Sequence, residues 1–164
     1  RFILIGSGNP EEGELRPQLL DRFGLSVEVL TPDTVDERIE VIKRRDDYDK
    51  NPDEYAETWV KENRKLRNKI QKARKSLGSI TVDSKILEHC AQICIDLGSD
   101  GLRGELTLVR TARALAAYNG KDRVDLGNIK RIAPMALSHR LRRDPLDDAG
   151  SGTRVERSVQ KIIG

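Results

Sequence analysis

The chain opens on an apolar run, residues 2–5, that ends abruptly in the small residues and asparagine of residues 6–9. A continuous apolar run bounded by glycine is typical of a strand buried on both faces, as in a parallel sheet covered by helices. Such sheets bind ligands beyond the carboxyl ends of their strands, where we expect residues 6–9 to lie. Because the rest of the chain is mostly helical in pattern, we expect most of this sheet to lie outside it, and we interpret the chain as part of a longer protein.

Charged residues are spread evenly along the 164 residues, with 30 Lys and Arg against 27 Asp and Glu. This alternation is typical of solvated helix faces and argues against a nucleic-acid interface, which needs a segregated basic face. Aromatic residues make up only 4% of the chain, too few for a platform that stacks bases. No apolar run approaches the ~20 residues of a membrane span, and no signal peptide opens the chain, so we expect a soluble intracellular protein.

Two cysteines, Cys90 and Cys94, are four residues apart, which places both on one face of a helix. Two soft ligands alone are too few for a structural metal site. Their apolar neighbours favour buried, reduced thiols over metal binding or redox chemistry, and these neighbours are Ile86, Leu87, Ile93 and Leu97. We therefore predict no metal site in the chain.

The first third of the chain combines short elements with one long helix. A short helix is predicted over residues 15–23, and a second strand over residues 25–30, where apolar and polar residues alternate. Thr31 and Pro32 suit the N-cap and first turn of a helix over residues 31–49. Its predicted buried stripe consists of Val35, Ile39 and Ile42.

A second long helix is predicted over residues 53–77, after a break at Asn51 and Pro52. Many lysines and arginines lie between its apolar positions. The simplest interpretation of these basic residues is a solvated helix face, and a binding surface is the alternative. The stripe itself consists of Tyr55, Trp59, Leu66 and Ile70.

In the last half of the chain, the spacing of apolar residues predicts three compact helices over residues 83–97, 102–119 and 126–141. It also predicts a short final helix over residues 154–163. Short loops between helices of similar length favour antiparallel neighbours in a small bundle. The positions predicted to face inward are Ile86, Leu87, Cys90, Cys94 and Leu97, then Leu102, Leu106, Val109, Ala112 and Ala116, then Ile129, Ile132, Ala133, Ala136 and Leu137, and finally Val155, Val159 and Ile162.

Three polar residues are candidates for chemistry, each with a simpler alternative. Asn9 follows a buried strand, where its amide could orient a water or a terminal phosphate oxygen, or merely cap a turn. Arg22 presents a planar, permanently charged fork that suits phosphate oxygens, although a salt bridge with Asp21 or Glu28 would also account for it. Arg103 lies at the start of a helix, where free N–H groups already favour an anion.

Long strings of the sequence closely resemble one protein family, the AAA+ ATPase subunit of magnesium chelatase. The strings are GSGNPEEGELRPQLLDRFG over residues 6–24, GSDGLRGELTL over residues 98–108 and ALSHRLRRDPL over residues 136–146. The resemblance covers nearly the whole chain, and residues 24–29 are more similar to the bacteriochlorophyll branch of the family than to the plant or cyanobacterial one.

The resemblance implies specific roles for the candidate residues. Asn9 matches sensor 1 and Arg103 matches sensor 2, both of which act in that family on the nucleotide of their own subunit. Arg22 matches the arginine finger, which reaches the γ-phosphate held by the neighbouring subunit of a ring, and Asp21 lies on the same interface. The implied catalytic residues are therefore Arg22 and Asn9, and the implied ATP-binding residues are Asn9, Arg22 and Arg103.

The resemblance also implies a mainly α fold: the last strands of a AAA+ P-loop α/β core over residues 1–30, a long helical connection over residues 31–78 and a helical lid over residues 79–164. Implied cofactors are ATP and Mg²⁺. Implied partners are a homo-oligomeric ring, a second AAA+-like subunit and a large porphyrin-binding subunit, in a bacterial cytoplasm or a chloroplast stroma.

One part of the family pattern is missing from the chain. The 164 residues contain neither the Gly-x-x-x-x-Gly-Lys-[Ser/Thr] phosphate loop nor an apolar strand ending in acidic Mg²⁺ ligands. We therefore expect the chain alone not to hydrolyse ATP. Two alternatives stay open: a chaperone-type AAA+ ATPase of the MoxR group, and a non-catalytic helical module that binds a protein partner.

Overall fold

The computed structural model describes residues 3–9, 15–99, 101–141 and 150–164. Helices dominate these residues, as predicted, and no helix among them is long and apolar enough to cross a membrane. The helices are α1 (Pro17–Leu20), α2 (Val35–Lys50), α3 (Pro52–Thr58), α4 (Val60–Ser76), α5 (Ser84–Asp96), α6 (Arg103–Tyr118), α7 (Leu126–Leu137) and α8 (Ser151–Ile163), with 3-10 turns at Leu77–Ser79 and Ser138–Arg140.

The core of the molecule is a bundle of α5, α6, α7 and α8, and α4 packs against α6 at its edge. Short connections tie the bundle together: Thr81 forms a parallel bridge with Arg123, and its carbonyl accepts from the N–H of Val124 at 3.0 Å. A reciprocal capping box of Asp125 and Asn128 then starts α7. The largest fully buried side chains are Cys90, Ile93, Cys94, Leu108, Ile129, Leu137 and Val155.

The start of α6 lies very close to α5 and α7 because Gly104 has no side chain. A Cβ atom at this position would lie 2.9 Å from Ser99 Oγ, 3.3 Å from Leu137 Cδ2 and 3.4 Å from Cys94 Sγ. Gly104 is buried, and it continues the inward stripe of α6 towards Leu108. The glycine therefore sets how closely the amino end of α6 approaches its neighbours.

The final helix, α8, closes the bundle as predicted. Val155 and Val159 are buried against α5 and α7. Ser158 donates a hydrogen bond of 2.7 Å to Asp96 at the end of α5, and Lys161 forms an ion pair with the same carboxylate. These hydrogen bonds lower the pKa of Asp96, with Lys161 the largest cause and Ser158 the second.

The helices α2, α3 and α4 differ from the predicted helices of this region in two ways. The N-cap of α2 is Thr34 instead of Thr31, and its hydroxyl accepts from the N–H of Glu37. The predicted single helix over residues 53–77 is two helices, α3 and α4, with a break at Trp59. Aromatic and cationic side chains stabilise this corner, because Arg44 stacks on Trp59 and Tyr55 contacts it.

The predicted stripe of α2 is wrong, and that of α6 is confirmed only in its later positions, where Ala112 and Ala116 are buried and Val109 is partly buried. The α2 stripe of Val35, Ile39 and Ile42 is exposed, because the main packing partner of α2 among the described elements is the short α3. In α6 the inward stripe is shifted: Leu102 and Leu106 are exposed, and the buried positions are Gly104, Leu108, Ala112 and Ala116. Small residues occupy most of the buried face of α6 because they allow the helix to approach α5 and α7 closely. Leu87 is also largely exposed.

The inward positions predicted for α7 are confirmed, since Ile129, Ile132, Ala133, Ala136 and Leu137 are all buried. The stripe predicted on α3 and α4 is only partly covered: Tyr55 and Trp59 are half-buried, and Leu66 and Ile70 are exposed.

The two predicted strands do not form among the described residues. Residues 3–9 and 25–30 have no regular secondary structure, and most of their apolar side chains, such as Ile5 and Val29, are exposed. A strand needs a neighbouring strand to pair its N–H and C=O groups, and the described residues provide none for either segment. Phe2 lies outside the described residues.

Candidate functional site

The segment after α1, residues 21–26, lies on the end of α7 and carries two of the predicted site residues. The N–H of Ser26 donates to the carbonyl of Met135 at 2.9 Å. His139 Nε2 lies 3.2 Å from the carbonyl oxygen of Phe23. This segment is therefore attached to the bundle through its backbone, although it is separated from α7 by about a hundred residues in sequence.

Arg140 makes the main attachment, and its side chain is only 4% exposed. Its Nη1 donates to the carbonyl of Asp21 at 2.8 Å and to the carboxylate of the same residue at 2.6 Å. Nη2 donates to the carbonyl of Phe23 at 2.7 Å and to Thr107 Oγ1 at 3.5 Å, and Nε donates to the carbonyl of Ala136 at 2.9 Å. The guanidinium thus has an acceptor for each of its five N–H groups.

Arg103, the predicted sensor 2 residue, is joined to the same carboxylate. Its Nη1 forms an ion pair with Asp21. It is the first residue of α6, whose N-cap, Leu102, offers no side-chain oxygen to the free N–H groups of the first turn. The side chain is 57% exposed, so Arg103 remains open to solvent while Arg140 is enclosed.

Arg22, the predicted arginine finger, lies between the two residues that Arg140 holds. Its side chain is exposed and lines an open cleft with Arg16, Gln18 and Leu19. The structure therefore joins Asp21, the residue that precedes Arg22, to Arg103, which is 82 positions away in the chain.

Asn9, the predicted sensor 1 residue, is exposed in residues 3–9 and is not among the residues joined by these ion pairs. The predicted contacts of Asn9, Arg22 and Arg103 with a nucleotide stay predictions.

The surroundings of His139 favour the neutral form of its ring. Burial lowers the pKa of His139, and the positive charge of Arg140 acts in the same direction. The carbonyl of Phe23 and the carboxylate of Asp21 oppose this shift. His139 therefore contributes a neutral ring beside the charged Arg140 at physiological pH.

The two cysteines are buried and free, in agreement with the prediction. Burial raises the pKa of Cys90 to about 11 and that of Cys94 to about 12, and the negative charge of Glu105 adds to both shifts. Across residues 3–9, 15–99, 101–141 and 150–164, no group of three or more His, Cys, Asp or Glu side chains could hold a metal ion.

Arg140 is the residue that sequence reasoning missed, although the sequence contains a signal for it. The buried stripe of α7 includes Ala133, Ala136 and Leu137, and the next position on the same face is Arg140. An arginine that continues an apolar stripe must find acceptors when it is buried. The pattern could have identified the buried arginine, but not the segment that provides its acceptors.

Comparison with known proteins first defines the class. Residues 87–162 match the family model of the AAA lid domain. A solved structure from Cytophaga hutchinsonii, provisionally classed as an ATPase, has the same fold with a TM-score of 0.63. It is 19% identical and covers 92% of this chain, and the alignment spans 49% of that protein. Residues 87–162 therefore have the fold of a AAA-type lid, and the predicted mainly helical class of the chain is confirmed.

The chain is also similar to several curated proteins over nearly all of its length. The chain is 59% identical over 163 residues to the magnesium-chelatase 38 kDa subunit of Rhodobacter capsulatus, 46% identical over 164 residues to that of Chlorobaculum parvum, and 48% identical over 163 residues to the chloroplastic magnesium-chelatase subunit ChlI of Nicotiana tabacum. These matches cover 99%, 100% and 99% of the chain, but only 47%, 47% and 38% of the relatives. The chain is therefore similar over nearly its whole length to magnesium-chelatase subunits, spans less than half of their length and matches their C-terminal part.

Proposed function

We propose that this chain acts as the C-terminal part of the ATPase subunit of magnesium chelatase, in which ATP hydrolysis drives the insertion of Mg²⁺ into protoporphyrin IX. The observation that carries the proposal is the 59% identity, over 99% of the chain, to the R. capsulatus subunit. The ion pair of Asp21 with Arg103 supports it, because it attaches the segment that carries the exposed Arg22 to the exposed first residue of α6.

The chemistry of these side chains fits a phosphate ligand. Arginine donates planar, charge-assisted hydrogen bonds that match phosphate oxygens, and Arg103 adds the free N–H groups at the start of α6. The ion pair of Arg103 with the Asp21 carboxylate supports this role, because the guanidinium already has an anionic partner. When ATP is bound, it supplies the phosphoryl group that is transferred to water.

Each candidate residue has one role in this proposal. Arg22 acts as the arginine finger and stabilises negative charge on the γ-phosphate of a neighbouring subunit's ATP. Arg103 acts as sensor 2 and Asn9 as sensor 1, and Asp21 belongs to the subunit interface. Mg²⁺ has two roles, as substrate of the chelatase and as the ion that accompanies ATP, and in the second role it is held mainly by residues of the phosphate-loop half of the subunit.

We also propose a division of the chain and a set of partners. Residues 1–30 would complete the nucleotide-binding core, residues 31–78 would connect it to the lid, and residues 79–164 would form the lid. The intact subunit would form a homo-oligomeric ring and act with a second AAA+-like subunit and a large porphyrin-binding subunit. Its location would be the cytoplasm of a photosynthetic bacterium, or the stroma in a plant.

The test is to replace Arg22 by alanine in the intact subunit that carries this chain. Ring assembly and ATP binding should persist, whereas kcat for ATP hydrolysis should fall by at least ~10³-fold, the usual effect of losing an arginine finger. The matched control is Arg131→Ala, which removes an exposed arginine of α7 that forms no ion pair within the described ranges. Unchanged hydrolysis in Arg22→Ala would refute the finger role.

Two further measurements separate this proposal from its alternatives. Arg103→Ala should remove the response to ATP while the fold persists, which thermal unfolding can check. The 164-residue chain alone should not hydrolyse ATP, and turnover at the rate of the intact subunit would contradict the proposal. Magnesium insertion in a mixture with the other chelatase subunits distinguishes a chelatase subunit from a chaperone-type ATPase of the MoxR group.

A further inference from the structure

We propose that Arg140 is a positioning residue for Arg22, and that it holds the backbone on both sides of the arginine finger against the lid. The inference rests on the proposed function of Arg22. It assigns to a buried residue of the lid a part in hydrolysis at the active site of the neighbouring subunit.

The geometry of the hydrogen bonds carries the inference. The carbonyl groups of Asp21 and Phe23 flank Arg22, and both accept from the same guanidinium, at 2.8 and 2.7 Å. The Asp21 carbonyl belongs to the peptide group that directly precedes Arg22, and the Phe23 carbonyl to the peptide group that follows the next residue, so the two bonds hold the backbone on both sides of Arg22. The direction in which Arg22 leaves the backbone is therefore set by Arg140.

The attachment is rigid because Arg140 itself is held from two further sides. Its Nε donates to the carbonyl of Ala136 in α7, and its Nη2 lies 3.5 Å from Thr107 Oγ1 in α6. The side chain is 4% exposed, so water does not compete for its donors. Arg140 thus links the segment of residues 21–23 to two helices of the bundle at once.

A lysine could not reproduce this attachment. Its ammonium group is a single compact centre with three donors, whereas the Arg140 guanidinium reaches two carbonyls, a carboxylate and a hydroxyl in fixed directions. Arg140→Lys would preserve the positive charge beside Asp21 and lose the fork. The comparison of lysine with alanine therefore separates the effect of charge from that of geometry.

Steady-state ATP hydrolysis of the intact subunit is the first measurement, with Arg140→Ala, Arg140→Lys, Arg22→Ala and the control Arg131→Ala. We expect Arg140→Ala to lower kcat on the order of 100-fold, the effect of a displacement of about 1 Å at a catalytic group, while KM for ATP stays unchanged. Arg140→Lys should lie between Arg140→Ala and the unmodified subunit, and Arg131→Ala should match the unmodified subunit.

Mixed rings provide the readout that a merely structural role would not change. In the proposed ring, each active site combines the phosphate loop of one subunit with Arg22 of its neighbour. A subunit with Arg140→Ala should therefore regain hydrolysis when mixed with a subunit whose phosphate-loop lysine is replaced, because the latter provides an intact finger. Mixing Arg140→Ala with Arg22→Ala should give no recovery, because both lack a working finger.

The outcomes distinguish failure of this inference from failure of the proposed function. If Arg22→Ala keeps full hydrolysis, the finger role fails and this inference falls with it. If Arg22→Ala is inactive while Arg140→Ala equals Arg131→Ala, only the inference is overturned. Recovery with Arg22→Ala instead of the phosphate-loop variant would also overturn it, because the defect would then lie in the subunit's own nucleotide site. If Arg140→Ala does not assemble into rings, Arg140→Lys undergoes the same two measurements.

Discussion

Arg103 and Asp21 form an ion pair although they are 82 positions apart in the chain, and the same carboxylate accepts a hydrogen bond from Arg140. One side chain thus connects the start of α6 and the end of α7 to the segment that carries Arg22. Because two arginines share this single acidic residue, the local balance is one negative against two positive charges. A negative ligand is therefore favoured at this edge of the molecule.

The two ion pairs of Asp21 should contribute unequally to stability. Asp21→Ala leaves the buried Arg140 without its carboxylate, and we expect a loss of about 1.5–3 kcal/mol in the free energy of unfolding. Arg103→Ala removes a side chain that is 57% exposed and should cost less than about 1 kcal/mol. Urea unfolding followed by circular dichroism measures both values. Equal losses for the two variants would contradict the burial-based explanation.

The packing of α8 can be tested with two valines. Val155 is fully buried against the bundle, so Val155→Ala removes two methyl groups from the core and should cost about 2–3 kcal/mol. Val35 is 71% exposed on α2, and Val35→Ala should change stability by no more than about 0.5 kcal/mol. Thermal unfolding of the two variants provides the comparison. A similar effect at both positions would show that α8 does not pack as described.

The buried face of a helix was predictable where the helix is enclosed by its neighbours. The stripe of α7 was predicted correctly because its apolar positions meet partners on several sides. The α6 prediction is correct for Ala112 and Ala116 and wrong at the amino end, where it places Leu102 and Leu106 inward, because Gly104 allows a closer approach than any leucine could. Close backbone packing favours small residues, and hydrophobicity alone does not indicate where it occurs.

The candidate site was predictable only in part, for a related reason. Arg22 and Arg103 were identified by their position in recognisable strings, and their proximity through Asp21 required the tertiary structure. The two predicted strands depend on partners that the described residues do not include, so local sequence alone could not decide whether they form. Long-range contacts of this kind leave no periodic signal in the sequence.

Gly104→Ala should destabilise the bundle despite the helical preference of alanine. An alanine normally stabilises a helix by about 1 kcal/mol over glycine. Here its Cβ would lie 2.9 Å from Ser99 Oγ and 3.3 Å from the buried Leu137, and such overpacking costs about 1–3 kcal/mol. We expect a net loss, measured by urea unfolding. The control is Gly78→Ala, whose Cβ would meet no atom within 4 Å; a gain in stability for Gly104→Ala would contradict the close approach.

The two thiols should be unreactive until the bundle opens. Their pKa values of about 11 for Cys90 and about 12 for Cys94 leave almost no thiolate at pH 8, and both side chains are buried. Labelling with Ellman's reagent should therefore be slow in buffer and rapid in concentrated urea. Immediate reaction of both thiols in buffer would contradict the structure.

The same pKa values predict how stability changes in alkaline solution. An unfolded thiol loses its proton near pH 8.5, so between about pH 9 and pH 11 the unfolded chain binds fewer protons than the folded one. The free energy of unfolding should therefore fall as pH rises through this range. A double variant, Cys90→Ala with Cys94→Ala, is the control: it should show a smaller alkaline decrease, and an equal decrease would assign the effect to other groups.

The break between α3 and α4 has a practical consequence, because Trp59 is the single tryptophan of the chain. Its indole contacts Arg44 of α2 and Tyr55 of α3. Intrinsic fluorescence excited at the indole therefore reports on the corner between α2, α3 and α4, whereas the cysteines report on the bundle. The chain thus contains two independent natural probes, which can reveal whether the connecting helices and the bundle lose their structure in one transition or in two.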